Sequence, residues 1–249
     1  SMKKHSIWVG FFAFMTLSTF VQAQEKESHH YLSLEDVASS LELLPPPPAV
    51  NNILFLNDEA QYRWGKMQRP TPRGDQAVSD ARLYGDGVAK SFSEAFGMTI
   101  SKEGTPEIYK LISHFREDAG DYATRSAKEH YMRMRPFTFY NEDTCNTEQQ
   151  QGLSTNGSYP SGHTAIGWAT ALVLAEINVE RQNEILKRGY EIGQSRVICG
   201  YHFQSDVDAG RLVASAVVAR LHANKEFMEQ LTKAKAEFAK LSGRSGNRR

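Results

Sequence analysis

Residues 162–176 read GHTAIGWATALVLAE. Alanines and aliphatics fall on nearly every side of a 3.6-residue period, and only His163 and Glu176 can ionise. A helix that is apolar all round has no face to give to water, so it must be enclosed by other elements. The stretch therefore predicts an all-α fold, a single compact multi-helix domain built round one buried helix. Pro160 and Ser161 stand at its start, where a serine cap is expected.

Helical patterns continue on both sides. C-terminal to the central stretch, residues 180–198 form one helix. Ser205 is placed to cap another over 206–221, and Asn224 bends the chain before Phe227, Leu231, Phe238 and Leu241 carry the pattern on. N-terminal to it, residues 121–134 read as a helix that stops before Pro136, and 137–160 as a long polar loop. Loops of that length in a compact domain are often functional. Thr105-Pro106 is an N-cap and first-turn proline for a helix with Ile108, Leu111, Ile112 and Phe115 on one face. Helices are expected over 72–84 and 52–66. After the Gly85-Asp86-Gly87 turn comes a segment carrying Val88, Phe92, Ala95 and Phe96. Residues 33–44 open like a capping box, and Pro45 to Pro48 then form a stiff connector. Residues 24–31 read as polar and disordered. No strand or repeat pattern is present.

The chain has 249 residues. Residues 1–23 have the layout of a secretory signal. Lys3, Lys4 and His5 precede an apolar run from Ile7 to Val21, which ends in Val21-Gln22-Ala23. The run is short for a bilayer span, which needs about 20 apolar residues, although an uncleaved anchor has a similar layout. Ser1 ahead of Met2 looks like a vector-derived addition. The domain is then residues 24–241, with a flexible basic tail over 242–249. The expected location is periplasmic or secreted, with no stable membrane span once the signal is removed. Net charge is zero, which argues against broad attraction to nucleic acid or anionic lipid. The two cysteines, Cys145 and Cys199, can be bridged in an oxidising compartment or stay as buried thiols. A bridge would add roughly 4 kcal/mol in the chain-entropy model.

Three segments could carry chemistry. Lys128 and Arg135 are seven residues apart, two helical turns, so one helix face can present both cations. Ser161-Gly162 at a helix start offers outward N–H groups and the positive end of the dipole, with His163 in the first turn. His202 and Asp206 are four apart, close enough for the carboxylate to fix the imidazole tautomer, and Ser195-Arg196 lies just upstream. Singly, these are also what a solvated basic face, a plain cap and a surface His–Asp pair look like. Together they are equipment for displacement at phosphorus without a metal. Lys128, Arg135 and Arg196 would neutralise the phosphoryl oxygens, and Ser161 and Gly162 would donate to them. His202 would attack and His163 would protonate the leaving oxygen, placing the active site at helix ends.

The order Lys-x6-Arg-Pro, Pro-Ser-Gly-His, Ser-Arg-x5-His-x3-Asp resembles the tripartite signature of the phosphatidic acid phosphatase type 2 and vanadium haloperoxidase superfamily. All its fixed positions are present, at Lys128, Arg135, Pro136, Pro160, Ser161, Gly162, His163, Ser195, Arg196, His202 and Asp206. With an export signal and no further span, the chain is similar to the bacterial class A non-specific acid phosphatases. The signature covers residues 128–206; upstream, the likeness rests on size and helical character. The resemblance implies an acid phosphatase with broad specificity for phosphomonoesters. His202 would become a phosphohistidine and Asp206 would orient it, with His163 as acid and then base. It implies homo-oligomers, no metal or other cofactor, and inorganic phosphate as product. Transfer to alcohols is a side activity open to such an intermediate. Vanadate is expected as an inhibitor, or as a cofactor if the chain is instead a haloperoxidase. A non-catalytic phosphate-binding protein would need neither His163 nor the His202–Asp206 pair. Tyr159, Tyr201 and Phe203 either line the leaving-group side or belong to the core.

Overall fold

The computed structural model describes residues 29–243. The signal segment, residues 24–28 and the end of the basic tail lie outside the described residues. The described chain is helical and carries no strand. Its helices are α1 (Ser40–Leu43), α2 (Phe55–Gln68), α3 (Pro72–Asp80), α4 (Gly87–Phe96), α5 (Pro106–His114) and α6 (Arg125–Tyr131). There follow α7 (Pro136–Phe139), α8 (Gln150–Leu153), α9 (Gly162–Ile177), α10 (Gln182–Ile198), α11 (Gln204–Leu221) and α12 (Lys225–Leu241).

The opening stretch is α9, and it is enclosed as its composition requires. Ala165, Ala169, Ala171, Val173 and Leu174 are fully buried. The helix packs against α10 and α11 over its length. Small residues set the approach: a Cβ on Gly167 would stand 2.7 Å from the Ile192 side chain, and one on Gly189 would strike Ala171. Ser161 caps α9, its Oγ accepting from the Thr164 N–H at 3.2 Å. The same core takes in Phe92, Phe96, Ile108, Leu111 and Phe115, together with Phe227, Leu231 and Phe238 from α12.

Local chemistry moved several boundaries. The capping box at residue 33 forms, with the Ser33 N–H on Asp36 and the Asp36 N–H on Ser33 Oγ, but only turns follow it and the helix is confined to α1. Ser205 is not the cap of α11. Phe203 holds that position, and its N–H donates to the Asp206 carboxylate at 2.8 Å. Asn224 starts a separate helix, its side chain accepting from the Phe227 N–H at 2.9 Å. Thr105 makes no side-chain cap on α5; Glu237, far along the chain, accepts from the Glu107 and Ile108 N–H groups instead.

Three further expectations are corrected. Residues 29–31 are ordered: His30 Nδ1 lies 2.7 Å from Asp118, the Tyr31 N–H donates to the same carboxylate, and Tyr31 is buried. Residues 121–134 are not one helix, because a π turn over Asp118–Tyr122 precedes α6 and Met132, at φ 41°, ends it. The loop expected over 137–160 holds α8 and part of α7. It is closed by the Cys145–Cys199 disulfide, with Cα atoms 4.7 Å apart, and by the Cys145 N–H donating to the Cys199 carbonyl. Phe137 and Tyr201 pack with this bridge as a small satellite core. Among the described residues no helix is long and apolar enough to cross a membrane.

Candidate active site

The three segments meet at the start of α9. A cleft of about 420 Å³ is lined there by Lys128, Arg135, Asn156, Gly162, His163 and His202 among others. Lys128 and Arg135 do not share a helix face. α6 has ended at Met132, and Arg135 is reached through extended chain at the cap of α7. Both cations still converge, because both hold Asn156. Lys128 Nζ is 3.4 Å from its side-chain oxygen, and Arg135 donates to that oxygen at 2.9 Å and to its carbonyl at 3.1 Å.

His202 is buried and held at both ring nitrogens. Nδ1 lies 2.8 Å from the Ser158 carbonyl, which can only accept, so Nδ1 carries the proton and Nε2 has the lone pair. Arg135 Nη1 is 3.0 Å from that Nε2. The Asp206 carboxylate stands 3.5 Å from Nδ1, farther than the Ser158 carbonyl. The tautomer is therefore set first by a backbone carbonyl, with Asp206 supplying negative charge behind it.

Asp206 is itself firmly held. Its carboxylate accepts from Arg133 at 2.7 Å, the Ser158 hydroxyl at 2.5 Å and the Phe203 N–H at 2.8 Å. Arg133 also donates to Asp58 at 2.8 Å, and Asp58 accepts from both the N–H and the hydroxyl of Ser205. These groups are nearly all buried, so α2 braces the carboxylate behind His202 through an Arg–Asp pair. Sequence reading missed Arg133, Asp58, Ser158 and Asn156. Arg133 lay in plain view between Lys128 and Arg135, but nothing local pointed to a partner as distant in the chain as Asp58.

At the start of α9, the Ser161 backbone N–H is already given to the Asp206 carbonyl at 3.0 Å. Ser161 Oγ accepts from the N–H and the hydroxyl of Thr164, which leaves its own hydrogen to donate. The N–H groups of Gly162 and His163 belong to the first turn and have no intrahelical acceptor. Glycine is needed at 162 for backbone packing, since a Cβ there would stand 2.6 Å from the Gly120 carbonyl oxygen of the π turn. Gly210 similarly lets α11 pass the Ser161 carbonyl. His163 Nε2 lies 3.2 Å from the Ala81 carbonyl, so it carries hydrogen and Nδ1 is the nitrogen that titrates.

Arg196 is fully buried, and among the described residues no group accepts a hydrogen bond from its Nε, Nη1 or Nη2. Its guanidinium carbon lies 4.3 Å from the centre of the Tyr201 ring. Burial, then Arg135, pulls its pKa down to about 9. Burial, again followed by Arg135, pulls Lys128 down to about 7. His163 is held well below the ordinary histidine range by burial and then Arg196, and His202 by burial and then Arg135. Both imidazoles are thus neutral within a strongly cationic cleft. Ser195, by contrast, belongs to a bracing network: it donates to Asp80 at 2.6 Å and accepts from Arg73 at 2.8 Å. Tyr159, Tyr201 and Phe203 are buried packing residues, with the Tyr159 hydroxyl on the Pro45 carbonyl and the Tyr201 hydroxyl on that of Asn146.

Fold and site together define an all-helical protein with a cationic, histidine-bearing cleft at its helix ends. The PAP2 superfamily profile matches residues 119–227, which contain nearly all of that cleft. The chain is 61% identical over 235 residues to a non-specific acid phosphatase of Providencia stuartii, covering 92% of this chain and 95% of that one. It is 41% identical over 233 residues to a non-specific acid phosphatase of Salmonella typhimurium, covering 94% and 92%. An acid phosphatase of Zymomonas mobilis is 34% identical, covering 90% and 84%. The chain belongs to the PAP2 superfamily and, within it, to the class A acid phosphatases.

Proposed function

We propose that this protein hydrolyses phosphomonoesters by transferring the phosphoryl group first to His202 and then to water, without a metal. The observation that carries the reading is Arg196, a buried guanidinium with no hydrogen-bonding partner, set among Lys128, Arg135 and two neutral histidines. Such a group is costly unless an anion meets it. A phosphoryl group supplies the matching oxygens, and the Ser161 hydroxyl and the first N–H groups of α9 add donors.

His202 Nε2 attacks phosphorus with its lone pair as the ester P–O bond breaks. Arg135 frees that lone pair beforehand, by moving its hydrogen bond from Nε2 to the phosphoryl oxygens when the substrate binds. The positive charge that builds on the ring is met by Asp206, which Arg133 and Ser158 keep in place. His163 gives its proton to the leaving oxygen. In the second step water attacks phosphorus, its proton passes to His163, and the Nε2–P pair returns to His202. A neutral His163 receiving a substrate monoanion has the same proton count as a protonated one receiving a dianion. Phosphate esters exchange that proton near pH 6, so activity should be highest in acid. Other alcohols able to reach the phosphohistidine would compete with water.

Export to the periplasm is part of the proposal. It rests on the basic and apolar layout of residues 1–23, and the Cys145–Cys199 bridge fits an oxidising compartment. The deciding experiment is a phosphomonoester panel across pH, with and without chelator and vanadate. Hydrolysis that survives chelator and is strongly inhibited by vanadate is expected, since vanadate resembles the five-coordinate transition state. Peroxide-dependent bromide oxidation with vanadate, and no ester hydrolysis, would overturn it.

Lys128 gives a pH prediction with a definite sign. Its cation is present below about pH 7 and is lost as pH rises through that value. The kcat/KM of the free enzyme should therefore fall above about pH 7. The substrate's own proton loss at about pH 6 sets a first decline. Loss of the Lys128 cation should add a second, steeper limb above about pH 7. Lys128→Arg, which cannot be deprotonated there, should move that second limb upward by more than about one pH unit and leave the first decline unchanged. A limb that stays in place would assign the titration to another group.

A further inference from the structure

Ser195 is a fixed position of the signature, yet it does not line the cleft. Its hydroxyl accepts from Arg73 at 2.8 Å, so its own hydrogen is aimed at Asp80, 2.6 Å away. Asp80 is the last residue of α3 and is only 1% exposed. Arg188 meets both of its carboxylate oxygens, at 3.1 Å and 2.5 Å. A carboxylate this deep persists only with such partners. Ser195 and Arg188 both belong to α10, and Arg188 also donates to the Ser91 carbonyl of α4 at 2.8 Å. One side chain thus ties the end of α3 to α4, across the short segment that carries Ala81.

Ala81 follows Asp80 as the C-cap of α3. The last carbonyls of a helix have no intrahelical donor, and that of Ala81 meets His163 Nε2 at 3.2 Å. This contact keeps the hydrogen on Nε2 and leaves Nδ1 to exchange a proton. A ring released from it can turn over or take the other tautomer, which puts the proton on the wrong atom. Consecutive Cα atoms are about 3.8 Å apart, so the Ala81 carbonyl cannot drift far while the neighbouring carboxylate is held at both oxygens.

We infer that Asp80 is a positioning residue for the acid–base step: held by Ser195 and Arg188, it fixes the Ala81 carbonyl, which fixes the tautomer and aim of His163. This role rests on the reading above, in which His163 serves the leaving oxygen. It gives Ser195 a task in the signature that phosphate binding does not supply.

The test compares leaving groups. A dinitrophenolate departs without a proton, whereas an alkoxide needs one. The ratio kcat/KM reports the first transfer, where His163 acts as acid. Asp80→Asn keeps the shape and removes the charge. It should lower kcat/KM for ethyl phosphate by about 10²-fold and for dinitrophenyl phosphate by less than about threefold. Ser195→Ala, a milder change that serves if Asp80→Asn does not fold, should give the same split at about tenfold. Nitrogen NMR of the imidazoles should show His163 as the Nε2–H tautomer in the wild type and as a mixture in both variants. His163→Asn is the reference. Its split should be at least as large, and combining it with Asp80→Asn should cost little more, because the two act as one unit. No split in His163→Asn would remove the acid role and the inference with it. A split there, with Asp80→Asn and Ser195→Ala slowing both esters equally or leaving the tautomer unchanged, would make Asp80 a brace of the fold only and overturn the inference alone.

Discussion

His202→Ala is expected to lower kcat for phosphomonoester hydrolysis by about 10⁴-fold or more while leaving phosphate affinity within a few-fold. The two halves of that expectation come from different atoms. Turnover depends on the Nε2 lone pair, which the Ser158 carbonyl exposes by holding the proton on Nδ1. Among the described residues that line the cleft, Lys128 and Arg135 are cations, Tyr84 and Thr124 carry neutral hydroxyls, His163 serves the leaving oxygen, and the half-buried Glu117 and Asp121 are paired with Arg116 and Arg125, which leaves His202 as the nucleophile. Affinity depends on Lys128, Arg135, Arg196 and the start of α9, which the substitution leaves in place. Arg135 also loses a competing acceptor, because Nη1 now donates to Nε2 at 3.0 Å. Quenched-flow trapping should give a base-stable, acid-labile phosphoenzyme from the wild type and none from the variant. Added imidazole should restore part of the rate by occupying the space of the lost ring. Hydrolysis above about 1% of wild type without imidazole would sink the covalent route. A loss of phosphate binding to match the loss of rate would instead make His202 a binding residue.

How much of this could be read from the sequence depended on whether the determining contact was local. The α9 stretch declares its own burial, because an all-round apolar helix has one stable environment, and the all-α reading follows from it. The three chemical segments were legible because their spacing survives folding; even where Lys128 and Arg135 turned out not to share a helix, both still reach Asn156. Boundaries failed where a long-range partner replaced a local one. Glu237 caps α5 in place of Thr105, and Asp206 caps α11 while also serving His202, which leaves Ser205 free to bind Asp58. The break after Met132 was not visible either, since a positive φ at a methionine has no local signature.

The site was legible as a list of residues and less so as an arrangement. The His202–Asp206 spacing suggested a direct bond, but the nearest partner of Nδ1 is a carbonyl from residue 158, in a stretch that read as loop. Glycine at 162 suggested close approach by an anion, and its tightest neighbour is the Gly120 backbone. Arg133 and Asp58 depend on contacts between α2, the strand-like exit from α6 and the start of α11, which no pattern along one segment encodes. The one property wholly invisible in sequence is that Arg196 has no hydrogen-bond partner, because that is a statement about every other residue in the fold.

Arg196→Met should make the protein more stable and nearly inactive. In phosphate-free buffer the wild type carries a fully buried guanidinium whose three nitrogens reach no acceptor. The folded-state pKa of this cation is lowered to about 9. A cation whose pKa falls on folding destabilises the native state at all pH values below that point, and the penalty fades only as pH rises through about 9. Methionine fills a similar volume without charge and keeps contact with the Tyr201 ring, giving up a cation–π attraction of about 1–2 kcal/mol. Relief of the buried charge is larger, so a net gain of roughly 1–3 kcal/mol is expected, or about 3–10 °C in Tm for a domain of this size. Activity should fall by about 10²–10³-fold, the usual effect of deleting one positioned charge from a transition-state site. Phosphate should narrow the gap, and reverse the order of stability where the phosphate-free gain is below about 2.7 kcal/mol. At one hundred times its Kd it adds about 2.7 kcal/mol to the wild type and much less to the variant. The check is a pair of thermal melts, at pH 6 to 7, with and without phosphate. A variant that melts lower in the absence of phosphate would mean that Arg196 stabilises the fold, and its orphaned nitrogens would then not report an anion site.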